Sequence, residues 1–169
     1  MKQLFISLLV LFASTAKAQY SKVSLQASGL TCSMCSNAIN KALRSLDFVD
    51  KVDANIKNSS FDISFKTGTG VDLDKIRAKV EDAGFSVASF YVMLDPGVKV
   101  SSGDCLSVGN TSFHLVNGNA QSWKADKKIK VLDKGFVSAK EFKKNAAMVK
   151  GDCNAAGEKA TRLYHVMLM

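Results

Sequence analysis

From Lys22 onward the apolar positions of the chain switch between two spacings. Val23, Leu25 and Ala27 alternate with polar residues, which predicts a strand with one buried face, and Gly29 ends it. Ile39, Ala42, Leu43 and Leu46 then recur at the i, i+3, i+4, i+7 spacing of a helix face. Val52, Ala54 and Ile56 alternate again. Asn58-Ser59-Ser60 is a turn cluster, and Phe61, Ile63 and Phe65 alternate after it, which predicts a hairpin. Beyond the Thr67-Gly68-Thr69-Gly70 loop, Asp72 is placed to cap a second helix. Its buried face is Leu73, Ile76, Val80 and Ala83, and Gly84 fits its C-terminal end. A last strand is expected from about Ser86 to Leu94. The order β-α-β-β-α-β predicts a ferredoxin-like α+β fold, with helices over one face of an antiparallel sheet.

Asp95-Pro96-Gly97 marks a boundary, because Pro-Gly is a strong turn signal and Pro96 is the only proline of the chain. Beyond it, residues 113–116 and 128–132 read as strands. Ser138, with Glu141 three residues later, reads as a capping box that opens a helix. In the final strand, residues 162–168, Tyr164, Val166 and Leu168 share one face. His165 is expected to be exposed on the other, with Met167 following it at strand spacing. The expected organisation is a leader at 1–18, a ferredoxin-like domain at 19–95 and a second small α+β or barrel-like domain at 96–169.

The leader follows from Lys2, the apolar run at 4–13, and Ser14-Thr15-Ala16-Lys17-Ala18 with small residues at Ala16 and Ala18. This is the pattern of a secretory signal cleaved after Ala18. The run is shorter than the roughly 20 residues that span a bilayer. A periplasmic or secreted protein beginning at Gln19 is expected. Losing Lys2 and Lys17 lowers the formal net charge from +8 to +6. The basic residues are spread out, and no stripe of the kind that binds nucleic acid is present.

Export places four cysteines in an oxidising compartment. Cys32 and Cys35 lie in Gly29-Leu30-Thr31-Cys32-Ser33-Met34-Cys35, between the first predicted strand and helix. Two intervening residues let both sulfurs turn toward one point. Cu(I) prefers thiolate sulfur, and as a d¹⁰ ion it tolerates two ligands. Structural Zn²⁺ normally takes four, and the loop holds no His or carboxylate. A helix N-terminus at Cys35 would favour its thiolate, and Lys22 and Lys41 are candidates to add positive charge. Met34 is read as a variable loop residue rather than a third ligand. The same spacing also suits a thiol-disulfide redox pair or a structural disulfide.

This loop resembles the metal-binding loop of the heavy-metal-associated domain family, usually Gly-Met-Thr-Cys-x-x-Cys. The element order is that family's fold, and the resemblance covers about residues 20–94. It implies Cys32 and Cys35 as metal ligands. The family includes copper chaperones, modules of copper-pumping ATPases and mercury-scavenging proteins. The expected cargo is therefore Cu(I), with Hg(II) or another soft ion as the alternative. The expected partner is a periplasmic or membrane copper-handling protein. Leu30 replaces the family's Met and should support the loop by volume. Phe85 occupies a loop that lies near the metal in the family, where an aromatic resembles the ATPase modules; an ordinary core role is the alternative.

Cys105 and Cys153 each sit in Gly-Asp-Cys-x-x-x-Gly, at 103–109 and 151–157. A disulfide stapling a small domain is expected. The alternative is a second soft-metal site using His114, His165 or a Met. No paired carboxylates, Ser/His/Asp set or phosphate loop is visible, so metal binding rather than catalysis is expected. The other classes are a thiol-disulfide redox protein and a scaffold in which only the second domain functions.

Overall fold

Val23, Leu25 and Ala27 all point into the core, and their strand, β1 (Tyr20–Ser28), lies inside a broad sheet. The computed structural model describes residues 20–30, 32–96, 98, 104–108, 111–117, 128–149, 153 and 162–169. The expected leader and its cleavage site lie outside the described residues.

Helix α1 (Ser33–Arg44) buries Ser36, Ile39 and Leu43. It stops short of Leu46. Ser45 donates its backbone N–H to Lys41 and Ala42, and its hydroxyl to the Ala42 carbonyl at 2.7 Å. Leu46 is therefore buried from the following turn and not from the helix. Strands β2 (Val49–Asn55) and β3 (Ser60–Phe65) form the expected hairpin, with Val52 opposite Ile63. Ile56 does not continue β2; it sits in the turn and is 60% exposed. Helix α2 (Leu73–Asp82) starts where Asp72 accepts the Lys75 N–H at 3.1 Å, and Gly84 follows it with φ 87°. Strand β4 (Ser86–Leu94) completes the order β2-β3-β1-β4, antiparallel throughout. Both helices pack on the same face, the α+β ferredoxin-like arrangement that the pattern predicts.

The chain then turns at Pro96, with the Val98 N–H donated to the Asp95 carbonyl at 3.0 Å. The remaining elements are β5 (Cys105–Val108), β6 (Thr111–Leu115), β7 (Lys128–Val131), α3 (Ala139–Asn145) and β8 (Arg162–Leu168). Their strands extend the first sheet. The order among the described residues is β2-β3-β1-β4-β7-β8-β6-β5, with β7 antiparallel to β4 and β6 parallel to β8. Strand β5 has no counterpart among the expected elements. The capping box at α3 is half formed: Ser138 Oγ accepts the Glu141 N–H at 3.2 Å. The Glu141 carboxylate pairs with Lys130 instead of returning to Ser138, whose N–H goes to the Ala88 carbonyl.

A chain of aromatic rings binds the two parts. Phe90 meets Phe136 at 5.0 Å, Phe136 meets Tyr164 at 5.3 Å, Tyr164 meets Phe113 at 5.8 Å, and Phe113 meets Tyr20 at 6.1 Å. In a flat sheet β1 and β6 would stand about 19 Å apart, at about 4.8 Å per strand. The sheet therefore curls around the aromatic run, with its strand order still open. Asp74 of α2 adds a polar tie: it accepts from Tyr164 Oη and Arg162 Nε of β8, both at 2.8 Å. Gly135 (φ 88°) lets the turn after β7 approach α2, since a Cβ there would lie 2.9 Å from Arg77 Cδ.

Burial pushes the Tyr20 phenol up to about 12, with the charge of Asp72 adding to it. Burial, with Asp74 as hydrogen-bond partner, raises Tyr164 as well. A raised phenol stabilises the fold fully below its unfolded value of about 10. That stability is lost as pH rises further, because the unfolded chain releases protons the native one keeps. Denaturant titrations should show stability falling above about pH 10. Tyr164→Phe should flatten that fall and cost about 1.5–3 kcal/mol near neutral pH, the worth of a hydrogen bond to a charged group.

Candidate metal centre

The loop between β1 and α1 owes its path to three residues. Gly29 takes φ 82°, a region that L side chains rarely adopt, although a Cβ there would meet nothing within 4 Å. Its requirement is conformational and not one of space. Leu30 is half-buried and packs against the core, the supporting role expected of it. Cys32 has extended backbone (φ −144°, ψ 156°) and is the N-cap of α1. A sulfur thus stands where an oxygen usually caps a helix. Cys32 Sγ accepts the Cys35 N–H at 3.2 Å, and the Cys32 carbonyl accepts the Ser36 N–H at 3.3 Å.

The Cα atoms of Cys32 and Cys35 are 5.4 Å apart, and the two sulfurs are joined as a disulfide. Cys32 is exposed and Cys35 half-buried. Once reduced, both sulfurs would sit in the first turn of α1, where unpaired N–H groups and the positive end of the dipole favour thiolate. That turn contains no acidic residue. Met34 lies in the first turn of α1 and is 81% exposed.

The two lysines expected to assist do not reach the loop. Lys22 is bound to Asp62 at 2.6 Å, near the start of β1. Lys41 lies in the last turn of α1, about 9 Å along the axis from Cys35. The helix terminus alone supplies the local positive potential among these candidates. Phe85 is half-buried and packs against the core, as an ordinary packing residue would.

A shallow depression of about 140 Å³ adjoins the loop, lined by Leu30, Cys32, Ser33, Ser36, Ile56 and Ser59. Ile56 and Ser59 were not among the expected site residues. The Ser59 carbonyl accepts the Ala27 N–H at 3.0 Å, which brings the β2–β3 turn against the end of β1. The signal was the turn cluster at 58–60, but its placement beside the cysteines is tertiary.

A profile of the heavy-metal-associated domain matches residues 24–86. Over 70 residues the chain is 33% identical to the copper chaperone CopZ of Bacillus subtilis, covering 38% of this chain and 93% of that one. It belongs to the heavy-metal-associated domain family. A copper-transporting ATPase of Helicobacter pylori is 35% identical over 65 residues; the match takes in 38% of this chain but spans only 9% of the ATPase. The solved copper transporter domain Ccc2a of yeast, in apo and Cu(I) states, is 34% identical. It covers 41% of this chain and 92% of its own, with a TM-score of 0.36. The heavy-metal-associated stretch contains Cys32 and Cys35 and ends at the first residue of β4. Strands β5–β8 lie outside it.

The second cysteine pair, Cys105 and Cys153, is joined as a disulfide, with Cα atoms 5.7 Å apart. His114 and His165 come together on one face of the sheet, with ring centres 5.5 Å apart. His165 is not the exposed residue expected from alternation: its side chain is 12% exposed and held by Asp133. Met169 is 63% exposed.

Gly29→Ala should cost about 1–2 kcal/mol, because alanine is strained in the left-handed region. Equilibrium denaturation measures it. A neutral result would show that the loop relaxes to another backbone conformation.

Proposed function

We propose that this protein binds Cu(I) through Cys32 and Cys35 and either hands it on or sequesters it. The observation that carries this reading is the pair of sulfurs held at one exposed point on a helix N-terminus. The matched family stretch and the relatives named for copper support it.

The disulfide must first be reduced, giving two thiols. Binding Cu(I) then displaces two protons, so affinity should weaken as pH falls. The bis-thiolate ion carries one net negative charge, which the N–H groups of α1 offset. Exposure of Cys32 leaves one side of the ion open to an incoming sulfur of a partner. Transfer by stepwise ligand exchange then needs no vacant protein ligand.

The proposed location is the periplasm or the exterior. The leader-like residues 1–18 support this, and so does the Cys105–Cys153 disulfide, a bond typical of oxidising compartments. The proposed partner is a copper-handling protein in or facing that compartment. No helix among the described residues is long and apolar enough to cross a membrane.

The test is anaerobic Cu(I) titration of the dithiol-reduced protein against a competing chelator, beside a Cys32→Ser/Cys35→Ser control. One tightly held copper that vanishes in the control is the expected result. Absence of tight copper binding would overturn the reading. Tight Hg(II) binding would then identify a mercury scavenger, and rapid cycling of a model disulfide would identify a redox protein.

A further inference from the structure

Helix α3 is held to the sheet by polar ties and not by an apolar face. Among its residues only Asn145 is buried, and Phe142 is half-buried. A helix of seven residues is marginal without tertiary support. Here Ser138 caps it, with Oγ accepting the Glu141 N–H and its own N–H going to the Ala88 carbonyl of β4. Glu141 pairs with Lys130 of β7. Ile129 and Val131 point into the core shared with α1 and α2, so Lys130 between them points to the opposite face of the sheet. Helix α3 therefore lies on the face away from α1 and α2.

What α3 turns outward is positive. Lys140, Lys143 and Lys144 are exposed and stand at the i, i+3, i+4 positions of one helix face. Lys134, in the turn before the helix, is exposed as well. None of the four forms an ion pair among the described residues. The carboxylates of this stretch are turned inward: Glu141 is held by Lys130, and Asp133 binds His165. From residue 133 to residue 149, exposed cations thus stand with no exposed carboxylate beside them. Ala146, Ala147 and Met148 continue the exposed surface past the helix, and Met148 is 46% exposed. The surface is convex and joins positive charge to a bare apolar side chain.

We propose that this face docks on an anionic phospholipid bilayer. The charge is complementary, and a convex helix face fits a flat surface while offering no groove to a peptide. Each lysine near an anionic leaflet raises partitioning about fivefold. Met148 enters the boundary between headgroups and acyl chains, as the apolar side of an interfacial helix does. The inward ties of Glu141 and Asp133 serve the same end, because either carboxylate turned outward would repel lipid phosphate. Cys32 and Cys35 belong to the start of α1, which packs on the other face of the sheet. A membrane bound at α3 therefore leaves the cysteine loop open, and the docking does not depend on what that loop binds.

The test is co-sedimentation of the metal-free protein with vesicles. The chain beginning at Gln19 is used, which keeps every described element and lacks the apolar run at 4–13. One set of vesicles is phosphatidylcholine alone, and the other is equal parts phosphatidylcholine and phosphatidylglycerol. We expect binding to the anionic vesicles only, lost at 1 M salt, where the Debye length is about 3 Å. Lys140→Gln/Lys143→Gln/Lys144→Gln should lower partitioning about 100-fold. Lys41→Gln/Lys51→Gln/Lys75→Gln removes the same charge from exposed positions elsewhere and should leave most of the binding in place. Far-UV circular dichroism on each variant reports its fold. The proposal is overturned if the unsubstituted protein stays in solution with anionic vesicles, or binds neutral ones equally. Equal loss in the two triple variants overturns it too, since net charge and not this face would then be at work. Capture by soluble poly-glutamate without binding to anionic vesicles would assign the face to an acidic protein instead.

Discussion

The pairing of β4 with β7 is the contact on which the rest of the structure depends. It consists of three register pairs: Tyr91 with Lys130, Val92 with Ile129 and Met93 with Lys128. So short a ladder holds because both of its faces are reinforced. On the helix side, Phe90 meets Phe136, whose ring also receives Tyr164 and the Arg77 guanidinium. On the other side, the Lys128 ammonium lies 3.9 Å from the centre of the Tyr91 ring, a cation–π contact that also shields the ladder. Through this joint the residues on either side of Pro96 share one continuous hydrophobic core.

Much of this was legible from residue 20 to residue 94. Each strand there buries one face, so the two-residue period identifies both the strand and its orientation. Asp72 and Gly84 punctuate α2 by local chemistry alone. Alternation reports which residues share a face, however, and not whether anything covers it. His165 was misjudged for that reason: Asp133, more than thirty residues earlier, binds its backbone and ring. Ile56 was misjudged in the opposite sense, since the apolar period ran one residue past the strand into an exposed turn. Strand β5 has only four residues and acquires its identity from β6. The adjacency of β6 and β8 is parallel and long-range, and local patterning carries no signal for it.

The site itself divides in the same way. Spacing and position sufficed to place Cys32 and Cys35 at the start of α1, because a strand–loop–helix junction is a local feature. The depression beside them was not legible, because the β2–β3 turn is delivered by a hydrogen bond to β1. The two disulfides also differ in setting. Cys32 is exposed at a surface loop, where an incoming thiol can reach it. Cys105 is half-buried within a strand, and its access depends on what lies over the sheet.

The added strands also change how the protein can meet others. A ferredoxin-like unit alone would offer β4 as a template for strand addition, and here β7 already occupies that position. The terminal strands of the sheet are β2 and β5. Strand β2 presents exposed Asp50, Lys51 and Asp53, charges that discourage a foreign strand from docking. Strand β5 is short and tethered through Cys105. Intermolecular sheet growth is thereby disfavoured at both ends. Under the copper reading, a partner would reach the exposed Cys32 at the cap of α1 without first competing for backbone hydrogen bonds.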